Sequence, residues 1–164
     1  MRKIILICST FVLITGSVVA AERPMAPNGI VCFPDYLSWK VIAPSYRMDK
    51  NQIRIITGNE IAVAALRAGK KPLPDGSVLA KIAWKATKHP FFPAATVPGM
   101  FAQVEFMVKD AKKYKSTGGW GFARFVGNTL KPYGKDATFV KECFGCHIPV
   151  ASNDYLFTKI VKAP

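Results

Sequence analysis

The chain contains 164 residues, half of them hydrophobic, and carries a formal net charge of +13. This length supplies enough apolar side chains for one domain with a core. Its lysines are spread over the whole chain, with no basic run denser than Lys112-Lys113-x-Lys115. This spacing argues against a nucleic-acid-binding protein, in which basic residues gather on one face.

Residues 1–21 have the composition of a secretory signal peptide. The basic pair Arg2-Lys3 precedes an apolar run, and small residues precede a predicted cleavage site before Glu22. The run is short for a membrane span and contains hydroxyl side chains, which favours cleavage over an uncleaved anchor. We therefore expect a periplasmic protein that is soluble after cleavage and whose single domain comprises residues 22–164.

The excess of basic residues remains after cleavage. Without the signal peptide, 21 basic residues stand against 10 acidic ones, a net charge of about +11. A solvated basic surface is the simplest interpretation, and attraction of an acidic periplasmic redox partner is the alternative. Cys32 stands alone in a stretch bounded by glycine and proline; we expect it to be buried, with an intermolecular disulfide or a reactive thiol as alternatives.

Strand-like patterns recur along the mature chain. Alternating or β-branched residues predict strands over 39–43, 52–57, 77–84, 102–108 and 120–126. Residues 59–68 are predicted to form a helix, because Asn59 can cap its start and Gly69 can end it. Turns or loops are predicted at 70–76, 89–98 and 131–134, with a helical turn at 110–114 and a short helix near the C-terminus.

The third predicted strand alternates most clearly. Its first face carries Val78, Ala80, Ile82 and Trp84, and its second face carries Leu79, Lys81, Ala83 and Lys85. Taken together, the segments predict a single α+β domain dominated by an antiparallel β-sheet with a few short helices.

The last predicted helix carries Cys143-Phe144-Gly145-Cys146-His147, a C-x-x-C-H sequence. Two thiols at this spacing can add to the vinyl groups of one haem while the adjacent histidine ligates the iron. A redox C-x-x-C pair and half of a zinc site are the alternatives, but a zinc site needs further ligands that the chain scarcely offers. With an export signal, the motif predicts one haem c held covalently by Cys143 and Cys146, with His147 as the iron ligand. A four-helix cytochrome is excluded, because the long helical periodicities that it needs are missing.

The opposite side of the iron is less well specified. His89, Met100 and Met107 are the candidates for a sixth ligand, and none lies in a recognised ligand motif. We therefore expect five-coordinate iron. Arg54 and Glu105 are isolated charges on otherwise apolar strands, so they must be solvated, paired across the sheet or functional.

Three aromatic residues, Phe101, Phe122 and Phe125, can either cap the haem with apolar surface or belong to the core. An all-aromatic cap would favour gas binding over oxidation chemistry, because it excludes water and anions and offers no base.

Five segments in consistent order resemble the cytochrome P-460 family: DGSVLAK (75–81), EFMVKDAKKY (105–114), GGWGF (118–122), ECFGCH (142–147) and NDYLFT (153–158). The resemblance covers about residues 35–160. It implies an antiparallel sheet with few helices, one haem and a homodimer.

The resemblance also implies two activities. Some members oxidise hydroxylamine, whereas the related cytochromes c-prime-beta bind nitric oxide. A third possible function is plain electron transfer, which predicts a sixth iron ligand from the protein. In catalytic members a lysine after the Asp-Gly turn is joined to the haem edge, and its position here is Lys81, with Lys85 as the rival. The expected catalytic residues are Lys81, Glu105 as a distal base, and Arg54.

Overall fold

The computed structural model describes residues 23–161, so the predicted signal peptide lies outside the described residues. Within this range no helix is both long and apolar enough to cross a membrane. Six strands form one antiparallel sheet in simple chain order. They are β1 (Lys40–Arg47), β2 (Gln52–Gly58), β3 (Val78–Lys88), β4 (Thr96–Lys109), β5 (Trp120–Val126) and β6 (Lys131–Pro132). The predicted α+β domain dominated by antiparallel strands is confirmed.

Two α-helices accompany the sheet in the described range, α1 (Glu60–Arg67) and α2 (Val140–His147). The helix α1 begins as predicted, because the Asn59 side chain accepts a hydrogen bond from the Ala62 amide at 3.0 Å. The same side chain accepts from the Val78 amide at 3.1 Å, so it also fixes the start of β3 against the helix. Gly69 follows the helix with φ +67°, a conformation that glycine adopts without strain.

The alternation along each strand separates two buried clusters, one on each face of the sheet. The first face carries the apolar residues Val78, Ala80, Ile82, Val104, Phe106, Ala123 and Phe125, and the N-terminal segment covers them. Cys32 lies in this cluster, 4 % exposed and unbonded to another cysteine, so its predicted burial is confirmed. The second face carries Leu79, Trp120 and Phe122, which α1 and the C-terminal residues cover.

Strands β3 and β4 are longer than predicted. The strand β4 begins at Thr96, so the last part of the predicted loop 89–98 is strand, and Pro98 pairs with Ala86. Proline is tolerated there because β5 pairs only with residues 103–109, which leaves the other edge of this part of β4 free of a partner strand. The predicted turn at 131–134 likewise contains the two-residue strand β6. These hairpin ends have no continuous hydrophobic alternation, which is why the sequence pattern missed them.

Candidate haem site

The helix α2 presents the two cysteines of the C-x-x-C-H motif. Its start is fixed by Asp136, whose carboxylate accepts from the Thr138 amide at 2.8 Å in a 3-10 turn that runs directly into α2. Cys143 and Cys146 lie three residues apart and therefore on neighbouring positions of one helix surface. Both thiols are free. Burial raises the pKa of the Cys143 thiol, while the Arg124 guanidinium opposes this effect.

The imidazole of His147 is oriented for metal ligation through one nitrogen. Its Nδ1 lies 2.7 Å from the carbonyl oxygen of Tyr155. A carbonyl oxygen only accepts, so Nδ1 carries the proton and Nε2 keeps its lone pair for a metal. Burial lowers the pKa of His147, which favours the neutral ring that ligation requires. The rings of Phe122 and Phe157 flank it, with centroids 5.2 and 5.1 Å away.

A row of charged side chains crosses the second face of the sheet. The strand register places Glu105 between Lys81 on β3 and Arg124 on β5. The Lys81 ammonium and the Gln103 amide contact the Glu105 carboxylate, and the Arg124 Nε lies 3.3 Å from it. The Lys81, Glu105 and Arg124 side chains are 29, 20 and 19 % exposed, so the row is partly dehydrated but open to solvent. Glu105 is paired across the sheet, one of the expectations for an isolated strand charge.

Arg124 is a site residue that the sequence reasoning missed. Its Nη1 lies 3.6 Å from the carboxylate of Glu142, the residue before Cys143, and its Cζ lies 4.3 Å from the ring centroid of Tyr133. The Tyr133 hydroxyl donates to Glu142 at 2.8 Å. Arg124 therefore links the charged row of the sheet to the motif-bearing helix. It is the only charge in the strand WGFARFV, so the criterion that singled out Arg54 and Glu105 would also have found it.

The charged row and the motif are close enough to interact electrostatically. The charges of Arg124, Glu105 and Lys81 all act on the Cys143 thiol. Lys81 and Glu105 also act on the His147 ring, in opposite directions. Lys81 points to the same face as the motif, whereas its rival Lys85 is exposed near the end of the β2 pairing.

Arg54 lies on the second face as well, but not in the charged row. It pairs in register with Ala83 on one side and with Ser45 on the other. The Arg54 Nε and the Ser45 Oγ are both buried without a hydrogen-bond partner. Burial, and next the charge of Arg47, lowers the pKa of the Arg54 guanidinium. Two unpartnered donors fit a group that brings its own oxygen acceptors, as a haem with its two carboxylates does.

The predicted aromatic cap divides between the two faces. Phe122 lies beside His147, but Phe125 is fully buried in the first-face cluster and Phe101 packs against that cluster. Two of the three are therefore core residues, one of the alternatives that the sequence left open. Phe125 follows Arg124 directly on β5, so it points to the opposite face. Phe101 pairs with Trp84, beyond a register shift that follows the pair of Ala83 with Gln103, so the simple alternation from Glu105 does not extend to it.

The candidate sixth ligands are also separated. Met107 lies on the second face, opposite Leu79 and Phe122. Met100 is 70 % exposed. His89 lies in the β3–β4 loop, where its Nδ1 accepts from the Phe91 amide at 3.2 Å. Since the strand beyond Lys81 advances about 3.3 Å per residue, this loop is on the order of 20 Å along the hairpin from the charged row.

Comparison with curated proteins finds no match to the chain. A family model described as Cytochrome P460 matches residues 33–158, which covers most of the chain and includes the whole sheet and the C-x-x-C-H motif. The match agrees with the ordered segments noted in the sequence and implies a c-type haem cytochrome. The chain belongs to the Cytochrome P460 family.

Proposed function

We propose that the chain is a periplasmic mono-haem c-type cytochrome that oxidises hydroxylamine at five-coordinate iron. The observation that carries the proposal is the Glu105 carboxylate, which is held by Lys81 and Arg124 on the face that bears the motif helix. Each electron removed from hydroxylamine must be accompanied by a proton, so the reaction needs an acceptor beside the iron. Glu105 has that chemistry and remains 20 % exposed, so it can pass protons to solvent.

Four residues would hold the haem. Cys143 and Cys146 would attach it, and His147 would ligate its iron through Nε2. Lys81 would add the further bond to the haem edge that the family resemblance implies. A bound haem supplies an iron that binds the hydroxylamine nitrogen and accepts its electrons one at a time.

The other side chains of the site would orient the proton acceptor and neutralise negative charge. Arg124 and Gln103 would still hold the Glu105 carboxylate in one position after Lys81 has bonded to the haem, so that it need not reorient when it takes a proton. Arg54 offers a buried, unpartnered donor to a haem carboxylate or to a bound oxyanion. The products would be nitrous oxide or nitric oxide, and the electrons would leave to a periplasmic acceptor, for which the basic surface favours an acidic protein.

Two other functions have partial support. Capture of nitric oxide would be favoured by an apolar cap, but Phe101 and Phe125 belong to the first-face core, whereas the second face carries charges. Electron transfer alone would need a sixth ligand, for which Met107 is on the correct face. The charged row therefore favours oxidation chemistry over both.

The absorption spectrum of the purified ferrous protein separates the three functions. A Soret band displaced far to the red, a haem mass on the peptide containing Lys81, and turnover of hydroxylamine with an added electron acceptor would support the proposal. A normal high-spin spectrum that shifts with nitric oxide, without turnover, would support gas binding. A low-spin spectrum with sharp α and β bands would overturn both in favour of electron transfer.

The variant His147→Ala tests the iron ligation on which all three functions depend. Its ferrous spectrum should lose the features of histidine ligation, and an unchanged spectrum would contradict the assignment of His147.

We further propose that the protein is a homodimer. The exposed pair Phe91 and Phe92 at the β3–β4 tip, 91 and 63 % exposed, is an apolar surface that a second copy could cover.

A further inference from the structure

A buried ion pair lies on the second face, away from the charged row. The Lys109 ammonium lies 2.7 Å from the Asp154 carboxylate, and each side chain is only 5 % exposed. The same carboxylate accepts from the Trp120 indole at 3.2 Å and from the Leu73 amide at 2.7 Å. Asp154 is therefore held by three donors from three separate parts of the chain: β4, β5 and the loop before β3.

The pair anchors a strained turn. Asp154 and Tyr155 have φ angles of 53° and 61°, in the left-handed region, which aspartate tolerates better than most residues and which a bulky residue such as tyrosine seldom adopts. Two consecutive residues in this region persist only when their surroundings hold them there. The anchor of Asp154 supplies one constraint. The Tyr155 ring supplies another, since it lies where a Cβ on Gly118 would come within 2.1 Å of it.

The turn determines the direction of one carbonyl. Tyr155 follows Asp154 directly, and its carbonyl oxygen is the acceptor for the His147 Nδ1 proton at 2.7 Å. A continuous path of contacts thus runs from Lys109 through Asp154 and Tyr155 to the histidine of the motif. The path contains two charged groups, one backbone carbonyl and one imidazole, and it lies outside the charged row that the proposed reaction uses.

We propose that Asp154, held by Lys109, Trp120 and Leu73, is a positioning residue that aims the Tyr155 carbonyl at His147 and so sets how strongly this imidazole donates to iron. A carbonyl that accepts the Nδ1 proton orients the ring and raises its basicity as a ligand. Stronger donation favours ferric over ferrous iron, so loss of the anchor should raise the midpoint potential. The inference rests on the part of the proposed function that makes His147 the iron ligand, and not on hydroxylamine chemistry.

The test uses two double variants of the full haem-loaded protein with equal charge. Lys109→Met/Asp154→Asn keeps an amide oxygen that can accept from one of the two remaining donors, the Leu73 amide or the Trp120 indole, whereas Lys109→Met/Asp154→Gly keeps none. Both remove the two charges together, so neither leaves a buried unpaired ion. Both asparagine and glycine tolerate a positive φ, so backbone strain is matched as closely as the residue types allow.

The readouts are the midpoint potential and the iron–histidine stretching frequency in the ferrous state. For the glycine variant we expect about a tenfold shift of the ferric-to-ferrous ratio at fixed potential toward ferrous, which is a rise of about 59 mV, with a lower stretching frequency. The asparagine variant should stay within about twofold of the wild type. A folded glycine variant with wild-type values, or equal shifts in both variants, would overturn the inference.

A second pair of variants approaches the same carbonyl from the tyrosine ring. Gly118→Ala should displace Tyr155 and raise the potential in the same direction. Gly76→Ala is the control, since Gly76 also has a positive φ but a Cβ there would meet only Ile61, at 3.2 Å. Equal potentials for the two would contradict the inference. If His147→Ala leaves the spectrum unchanged, the proposed function itself fails; if only these variants are silent, the positioning role alone fails.

Discussion

Two ion pairs on the second face of the sheet each include a residue of β4 but have different surroundings. Glu105 and Lys109 lie four residues apart on β4. The Glu105 side chain and its partner Lys81 are 20 and 29 % exposed, whereas Lys109 and Asp154 are each 5 % exposed. The same chemical pairing therefore occurs once in contact with solvent and once in a dry core.

The difference in exposure separates two roles. A carboxylate in contact with water can gain and lose protons and can lose a partner at little energetic cost. A carboxylate in the core cannot, because the ion left behind has no solvent to replace its partner. The open pair on Lys81 is thus suited to chemistry, and the dry pair on Lys109 is suited to holding a fixed geometry.

The largest expected effect is on stability, and matched carboxylate-to-amide changes reveal it. Asp154→Asn should lower the free energy of unfolding by about 3–5 kcal/mol, because it leaves the Lys109 ammonium buried without a counter-charge. Glu105→Gln should cost about 1 kcal/mol, because its partners reach solvent. Denaturant unfolding of the haem-loaded proteins measures both. Equal losses would break the distinction between the two pairs.

For turnover of hydroxylamine, we expect Glu105→Gln to have a larger effect than Asp154→Asn, the reverse of their order for stability. Glu105→Gln should lower kcat/KM for hydroxylamine by about 10²-fold, because a neutral amide cannot accept the proton that accompanies each electron. The control is Glu142→Gln, an exposed acid that also contacts Arg124 but belongs to α2. Wild-type turnover in Glu105→Gln would remove Glu105 from the proposed mechanism, and a comparable loss in Glu142→Gln would point instead to Arg124.

The smallest expected effect is a difference in salt dependence. Raising the salt from about 0.1 M to about 1 M shortens the screening length from about 10 Å to about 3 Å in water. The stability cost of Glu105→Gln should therefore shrink toward zero, while that of Asp154→Asn should hardly change. Repeating the unfolding series at the two salt concentrations measures this. A cost for Asp154→Asn that fell in parallel would show that water reaches the Lys109 pair.

Much of the fold could be predicted because its signals are local. Alternation along 77–84 predicted which side of β3 would carry Lys81, and Asn59 marked the start of α1 through a cap that acts over three residues. The boundaries were less accurate. The exposed ends of β3 and β4 are fixed by pairing with each other, and that pairing leaves no hydrophobic pattern in either strand.

The site could be predicted only in part, because its remaining contacts depend on register. The motif spacing predicts Cys143, Cys146 and His147 as the haem-binding residues from five consecutive positions. The contact between Glu105 and Arg124 depends on how β4 and β5 align after a turn whose length includes a 3-10 helix. The pairing of Lys109 with Asp154 joins residues 45 positions apart. No local spacing rule connects such residues, although a lone charge in an apolar strand marks Arg124 as a residue to examine.

The strict chain order of the sheet has a consequence for how the protein assembles. Each strand after β1 pairs with the strand that precedes it in the sequence, so no pairing has to wait for a later strand. The helix α2 follows the last strand. In the proposed export, which would deliver the chain from its N-terminus, the strands would pair in the order in which they arrive. We therefore expect the sheet to be nearly complete when the cysteines receive their haem. The sheet then serves as the template on which α2 docks.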